Sequence, residues 1–458
     1  MERISVSDTT KKVGEKVNVK GWVHTRRDHG KIVFIDLRDR SGILQVVFPN
    51  AQAAKDLRSE WVVSIEGTIN KRPEKMINPN LKTGTVEMQA EKIEILNQAE
   101  TPPFALDTDG YEIGEENRLK YRYLDIRRER MKDNLILRHR VIKFIRDFLS
   151  GRGFIEIETP ILTKSTPEGA RDYVVPSRIH PGNFYALPQA PQQYKQLLMT
   201  GGIEKYFQIA KCFRDEDTRG DRQPEFTQLD LEISFVQRED VMDVNEKLII
   251  ELIKNIVPTK KIQEIPFPRI SYKEALEKYK TDRPDLRKDK NDRDVLAFCW
   301  IIDFPFFEKT EEGGWTFTHN PFSAPKPEYM ESLMKKENIA DIITSQYDIV
   351  LNGFEVGGGS IRNHRPETLK KVFEIMGFKK EKILNNFGHM LEAFSYGTPP
   401  HGGIAWGLDR WVAILQNEPN IREVMAFPKT GDGQDPMMGS PSKLEPKQLK
   451  ELGIKLIK

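Results

Sequence analysis

Two cysteines in 458 residues, Cys212 and Cys299, lie far apart with no C-x-x-C spacing and no histidine beside them. That excludes a disulfide framework and a cysteine-built zinc site, and it fits a chain kept in a reducing cytoplasm. No run of about 18 apolar residues occurs, and the N-terminus MERISVSDTTKKVGEK has no apolar core of the signal-peptide kind, so no membrane partner is expected. Charge of one sign is also missing. The net charge is +2, so contact with nucleic acid would have to come from local patches. There is no internal repeat, no low-complexity segment and no G-x-G-x-x-G after a strand, which removes the Rossmann dinucleotide site. What remains is a chain with 38% hydrophobic residues, long enough for two or three domains with packed cores.

Residues 1–103 read as a small β-barrel. Val17–His24, Lys31–Leu37, Ile43–Phe48, Trp61–Ile69 and Thr85–Ile95 are strand-like, and turns fall at Asp39-Arg40-Ser41-Gly42 and Asn78-Pro79-Asn80. A short helical piece, Ala51–Leu57, separates the third strand from the fourth. That order matches the OB-fold, which binds single-stranded nucleic acid across its second and third strands. Phe34 and Gln45 lie on those strands, with Arg26 and Arg27 ahead of them. A ring can stack a base, an amide can bond its edge, and a guanidinium can hold phosphate. On pattern alone, Phe34 fits the barrel core as well as a stacking platform.

Thr101-Pro102-Pro103 marks a boundary, and 104–128 reads as a connector to a second domain over 129–458. Arg118–Arg146 holds eleven lysines and arginines against three acids. A solvated helix face and a contact with nucleic-acid backbone both fit that run. Asn134–Gly151 has helical apolar spacing and stops at Gly151 and Gly153.

The most informative stretch is 208–235, QIAKCFRDEDTRGDRQPEFTQLDLEISF. It reads as two β-segments, Tyr206–Phe213 and Glu225–Phe235, joined by a long charged loop. Asp230, Glu232 and Ser234 recur with a period of two, which turns one charged face into a site. Arg214, Arg219 and Arg222 suit a di- or triphosphate, because guanidinium grips phosphate in a two-pronged geometry. Carboxylates beside them suit an ammonium group or Mg²⁺.

Two further segments carry geometry of their own. Gln192 and Lys195 stand i, i+3 at a helix start, so both can face one pocket. Lys195 there offers a positive charge to a substrate carboxylate, and a neutral substrate would leave a buried ammonium unpaired. Asn352-Gly353 is the favoured two-residue hairpin turn. Pairing Leu351 with Phe354 puts Val350 opposite Glu355 and brings Asp348 diagonal to Glu355 on the same face. Two carboxylates at that spacing can share Mg²⁺ held by nucleotide phosphates. Gly357-Gly358-Gly359 then offers bare backbone to a ligand.

FRDED, a following arginine and DRQPEFTQLDLE together resemble motif 2 of the class II aminoacyl-tRNA synthetases, in the form of the bacterial-type aspartyl enzymes. Gly153-Phe154-Ile-Glu-Ile-Glu-Thr-Pro160 resembles motif 1, and His401-Gly-Gly-Ile-Ala-Trp-Gly407-Leu408-Asp409-Arg410 resembles motif 3. GWVHTRRDHGKIVFIDLRDRSGILQVVF resembles the anticodon-binding barrel of the same family, and the likeness continues into NIREVMAFPKT. It covers nearly the whole chain. It implies an α+β protein: an N-terminal OB-fold barrel plus a class II catalytic domain with an antiparallel sheet flanked by helices.

The resemblance implies a ligase that activates L-aspartate with ATP and Mg²⁺ and transfers it to tRNA-Asp, as a cytoplasmic homodimer joined through motif 1. Arg214 and Arg410 would be the catalytic cations on the ATP phosphates. Asp215, Glu216, Gln223, Gly407, Leu408 and Asp409 would line the nucleotide, with Asp348 and Glu355 on the metal and Glu355 also on ATP. The loop Ser165–Asp172 would bring Glu168 to the α-ammonium, together with Gln192 and Asp230. Lys195, Arg362 and His319 would select the side-chain carboxylate beside Arg214, although a structural histidine competes with that reading of His319. In the barrel, Arg26, Arg27, His29, Phe34 and Gln45 would meet the anticodon. His29 resembles members that also charge tRNA-Asn, whereas Lys75 resembles the strict ones.

One departure stands out. The bacterial-type enzymes carry a large inserted domain near here, and only a charged linker around 284–297 occupies the place, which puts in question whichever tRNA contacts that insertion makes and leaves all three motifs intact. Two rivals share the motifs: an asparaginyl or asparagine-forming relative, and a catalytically inactive tRNA-binding paralogue.

Overall fold

Val33, Ile35 and Leu37 are fully buried, while Phe34 and Asp36 between them reach the outer surface. This alternation builds the first unit of the computed structural model, which describes residues 1–165 and 169–457. The chain divides into two compact units, Met1–Lys132 and Asp133–Lys458.

In the first unit, β1 (Lys16–His29), β2 (Ile32–Asp39), β3 (Gly42–Phe48), β4 (Val62–Lys71) and β5 (Val86–Asn97) run in the order β1-β2-β3-β5-β4. β4 pairs back onto β1, closing the barrel without a free edge. A 3-10 turn, Ala51–Ala54, sits between the third and fourth strands as expected. β1 continues to His29, so Arg26 and Arg27 precede the second and third strands by lying on the first, with Arg27 opposite Phe34. The segment expected as a connector belongs to this unit: Arg127 Nη1 lies 2.7 Å from Glu60 Oε2. Arg122 and Arg128 each donate to Asp125 at 2.8 Å, and both are buried, as is Arg118. For these three, neither a solvated face nor a nucleic-acid contact holds. Buried cations need fixed partners, and Asp125 supplies one.

The second unit is organised by an eight-stranded sheet among the described residues. Its strands are β6 (Ile155–Glu156), β7 (Lys205–Phe213), β8 (Glu225–Ser234), β9 (Arg269–Ser271), β10 (Phe298–Ile302), β11 (Gln346–Leu351), β12 (Phe354–Ile361) and β13 (His401–Gly407), in the order β9-β10-β11-β12-β13-β8-β7-β6. It is antiparallel from β10 to β7, with the short parallel strands β9 and β6 at its edges. Leu229, Leu231 and Ile233 turn one face into the core, where α1 (Glu129–Ser150), α3 (Arg238–Ile256) and α4 (Leu408–Leu415) contribute Ile145, Leu252 and Val412. Asp230 and Glu232, one residue out of phase, turn to the other face and are equally buried. A nine-residue helix, α2 (Gln192–Thr200), packs across that face.

Candidate active site

On the face opposite the core the sheet floors a cavity of about 680 Å³. Motif-bearing strands, the α2 helix and the hairpin β11–β12 each send charge into it. Glu168 lies outside the described residues.

At one end, Gln192 and Lys195 both face the cavity from the first turn of α2, as their spacing predicts. Lys195 Nζ sits 2.5 Å from Asp230 Oδ1 and 3.1 Å from Glu232 Oε2. Arg362 closes the cluster, with Nε 2.8 Å and Nη2 3.2 Å from the two oxygens of Glu232 and Nη1 2.9 Å from Ser360 Oγ. All four charged groups are buried. Burial pushes the Glu232 carboxyl up, but Arg362 and Lys195 more than offset it and hold it at about 2. Burial raises Asp230, which has one oxygen on Lys195 and the other, Oδ2, without a partner. The unpaired ammonium expected for Lys195 is therefore not there: two acids already neutralise it.

At the other end, Arg214 stacks over Phe226, its guanidinium carbon 5.1 Å from the ring centre. Its Nε is buried and finds no partner among the described residues. Arg410, at the start of α4, reaches Asp221 Oδ2 at 3.3 Å and the Glu355 carbonyl, and its Nε is likewise unpartnered. Gln223 accepts from the Lys429 N–H at 2.8 Å, leaving its Nε2 free. Glu216 lines the same wall, 3.5 Å from Arg222. Together with Asp230 Oδ2 and His319 Nδ1, these are five buried polar atoms of cavity residues that no group among the described residues satisfies. Buried polar atoms are rarely left so, and their convergence marks a site completed by a polar ligand.

Asp348 and Glu355 line the same cavity. The turn pairs Leu351 with Phe354 and Val350 with Glu355 as read from sequence, then a bulge shifts the register so that Asp348 faces Gly358. A side chain on Gly358 would come within 2.7 Å of Asp348 Oδ1 and 3.5 Å of Glu355 Oε1, so the carboxylates converge over this one bare position. Gly357 and Gly359 are bare for another reason: a side chain there would strike Trp406 or the Gly403 carbonyl on β13. They make room for the neighbouring strand, and their backbone also lines the cavity. Glu355 opens into the cavity, and its carboxyl is raised first by desolvation against the surrounding protein and then by the charge of Asp348. His319 Nε2 is 3.2 Å from Asp348 Oδ2. Burial pushes its imidazole down, but Asp348 and Glu355 more than offset this and lift it to about 9. It stands against the carboxylate pair rather than against Lys195 and Arg362.

Three nucleotide expectations change. Leu408 is buried in the hydrophobic core, the apolar side chain following that face of α4. Asp215 is not among the cavity residues; its backbone bridges to Arg171 instead. Asp409 borders the cavity, but its carboxylate accepts from Arg138 Nη1 at 2.5 Å and the Thr227 N–H at 2.8 Å, so it braces α1 and β8 against the helix start. Gly407 remains at the cavity wall.

With this geometry in place, comparison with known proteins is decisive. Residues 114–431 match the family of class II tRNA synthetases (D, K and N), and residues 17–96 match the OB-fold nucleic acid binding domain. The chain belongs to the class II tRNA synthetases. Among curated relatives of this synthetase, the aspartate--tRNA(Asp/Asn) ligases of Syntrophomonas wolfei and Rubrobacter xylanophilus are each 42% identical to it over 574 aligned positions. The alignments cover 97% of this chain and 97% and 95% of theirs. Since 574 positions exceed the 458 residues here, a substantial block of each relative has no counterpart in this synthetase. The solved asparaginyl-tRNA synthetase of Pyrococcus horikoshii, with asparaginyl-adenylate, shares the fold at a TM-score of 0.76 and 22% identity, covering 97% of this chain and 100% of that one. The synthetase family uses ATP, and the cavity holds two arginines, Arg214 and Arg410, whose Nε atoms have no partner among the described residues.

In the barrel of the synthetase Arg27 and Phe34 pair across β1 and β2 on the outer face, whereas Arg26, one residue out of phase, pairs with the core residue Ile35. Phe34 is half-exposed outside the core, with its ring edge-on to His29 at 5.4 Å, so the core alternative falls. Arg27 forks onto Asp36 at 2.9 and 3.0 Å and reaches Gln45 Oε1 at 3.3 Å; Gln45 Nε2 donates to Glu87 at 2.9 Å. Arg26 donates to Asp28 at 2.9 Å, and Lys75 lies exposed on a 3-10 turn.

Sequence reasoning missed Glu232 as the anion shared by Lys195 and Arg362, Phe226 under Arg214, Asp221 beside Arg410, and Gln346, whose Nε2 donates to Asp348 Oδ1 at 3.2 Å. The period-two pattern did place Glu232 on the right face. Nothing local announces that its partner is Arg362.

Proposed function

We propose that this synthetase is an aspartate–tRNA ligase that charges tRNA-Asp and, with relaxed specificity, tRNA-Asn. The observation that carries the reading is one cavity lined both by Lys195 and Arg362, which clasp the buried Glu232, and by Arg214, whose Nε has no hydrogen-bond partner among the described residues. The first end suits a dicarboxylic amino acid and the second suits a nucleotide phosphate.

Gln192 and the free oxygen of Asp230 receive the substrate ammonium, while Lys195 and Arg362 hold its side-chain carboxylate. The α-carboxylate then attacks the α-phosphorus of ATP, and pyrophosphate departs with the bonding pair. No protein nucleophile is required. Arg214 and Arg410 stabilise charge on the phosphorus oxygens in the transition state, and the cavity holds the reactants in line. Gln223 and Glu216 hold the adenosine end. Asp348 and Glu355 fit Mg²⁺: two converging carboxylates above a bare glycine leave room for phosphate oxygens and water, and the ion would neutralise phosphate charge. In the second step the terminal ribose hydroxyl of tRNA attacks the adenylate carbonyl and AMP leaves. His29, Phe34 and Gln45 read the anticodon, with Arg26, Arg27 and Lys75 beside them.

Ile155 on the edge strand β6 and Ile161 and Leu162 just after it are exposed, which supports a homodimer built through motif 1. Two free cysteines, both buried, support a cytoplasmic setting. Among the described residues no helix is long and apolar enough to cross a membrane.

Asparagine belongs in the same assay, because Asp230 and Glu232 already pair Lys195 and a neutral side chain would not leave it bare. ATP–pyrophosphate exchange with aspartate, asparagine and lysine, followed by charging of purified tRNA-Asp and tRNA-Asn, tests the reading. Exchange driven by asparagine and not by aspartate overturns it.

A further inference from the structure

The hairpin carrying the carboxylate pair is held from outside by a side chain that the chemistry above does not use. Asn352 is the first central residue of its turn, with φ +51°, and Gly353 follows at +88°. The Asn352 Oδ1 accepts from the Ala297 N–H at 2.8 Å, and Nδ2 donates to the Val295 carbonyl at 2.9 Å. Its own N–H donates to the Ala297 carbonyl at 3.2 Å. These bonds extend the β10–β11 ladder past its last pair, Phe298 with Leu351, and fasten the turn to the chain entering β10.

Turn chemistry alone does not explain them. A positive φ at that position is met by glycine or aspartate as readily as by asparagine. The two amide bonds are an additional tie, made by a buried side chain to buried backbone. Their importance comes from what lies next. Glu355 is three residues on, and just beyond its pair with Val350 the register slips, with Ile349 meeting Gly357. The bulge loosens the ladder on one side of Glu355, so the turn must fix it from the other.

We propose that Asn352 is a positioning residue for Glu355. By anchoring the turn to Val295 and Ala297, it sets how far the Glu355 carboxylate reaches over Gly358 towards Asp348, and hence how tightly ATP is bound in the presence of Mg²⁺. The inference rests on the assignment of Asp348 and Glu355 as the cation-holding pair. Asn352 itself touches neither substrate nor ion.

Asn352→Gly keeps the turn conformation and deletes both amide bonds; Asn352→Asp keeps the acceptor for Ala297 and deletes the donor to Val295. The measurement is calorimetric ATP binding across a Mg²⁺ titration, with aspartate binding in parallel and Glu355→Gln as reference. Asn352→Gly should raise the Mg²⁺ midpoint roughly tenfold, as loss of a partner behind a metal ligand does, with aspartate affinity unchanged. Asn352→Asp should fall between it and the wild type, and it carries the same readout should the glycine variant fail to fold. A shifted Glu355→Gln beside unshifted Asn352 variants overturns this proposal alone. Equal losses of aspartate and ATP binding overturn it too, by making the tie merely structural. A wild-type midpoint in Glu355→Gln overturns the carboxylate-pair assignment and this proposal with it.

Discussion

Arg362 lays one edge of its guanidinium along both oxygens of Glu232, at 2.8 and 3.2 Å, with neither group in contact with bulk water. Removing the acid strands a buried cation. Glu232→Ala should cost about 3–5 kcal/mol in denaturant unfolding, the range for breaking a buried pair. Glu232→Gln, equal in shape, should raise the aspartate KM while the ATP KM holds. Equal effects on both substrates would count against the pocket as drawn.

Arg214 has no competing acid at its Nε, so its loss should act on chemistry more than on folding. Arg214→Ala should lower aspartate-dependent ATP–pyrophosphate exchange by about 10²–10³-fold, the effect of deleting one preorganised transition-state donor, with little change in Tm. Near-normal exchange would remove Arg214 from the mechanism.

Gly358→Ala inserts a carbon 2.7 Å from Asp348 Oδ1. Since that contact is closer than real side chains tolerate, the carboxylates must part, and more Mg²⁺ should be needed for half-maximal exchange. An unchanged Mg²⁺ requirement would show that their convergence has no role.

Phe34→Ala leaves the barrel core intact, because the ring lies outside it. Charging should fall by about 1–3 kcal/mol in kcat/KM for tRNA, the worth of one stacked base, while exchange without tRNA is unaffected. A loss of exchange instead would mean the substitution disturbs the catalytic unit.

His401 donates from Nδ1 to the Pro399 carbonyl at 2.8 Å, and burial lowers its imidazole to about 4 from an ordinary 6.5. The fold thus favours the neutral ring. Its contribution is fully present above pH 6.5 and is lost as pH falls from there through about 4. That loss amounts to roughly 3 kcal/mol by proton linkage, and His401→Gln should flatten it in unfolding curves taken across the window. Identical pH slopes for the two proteins would contradict the assignment.

Local pattern made a good part of this legible. Alternation in 33–37 and 229–233 separates core from working face, since successive strand residues point opposite ways. Asn352-Gly353 announces its own turn and thereby the pairing of Val350 with Glu355. The spacing of Gln192 and Lys195 puts both on one side of a helix. These are short-range consequences of backbone geometry, readable from neighbours in the chain.

Charge pairing was not readable in that way. On pattern alone Lys195 is a cation awaiting a substrate carboxylate, and the run holding Arg118, Arg122 and Arg128 fits a solvated face or a nucleic-acid contact, yet these three are buried. Which acid neutralises which base depends on strands far apart in the chain meeting face to face: Glu232 finds Arg362 only because β8 and β12 flank β13. The amino-acid order by itself determined the elements, their faces and the family. Only the folded sheet decided which charges cancel and which stay open for a ligand, because that outcome depends on distances that no local pattern carries.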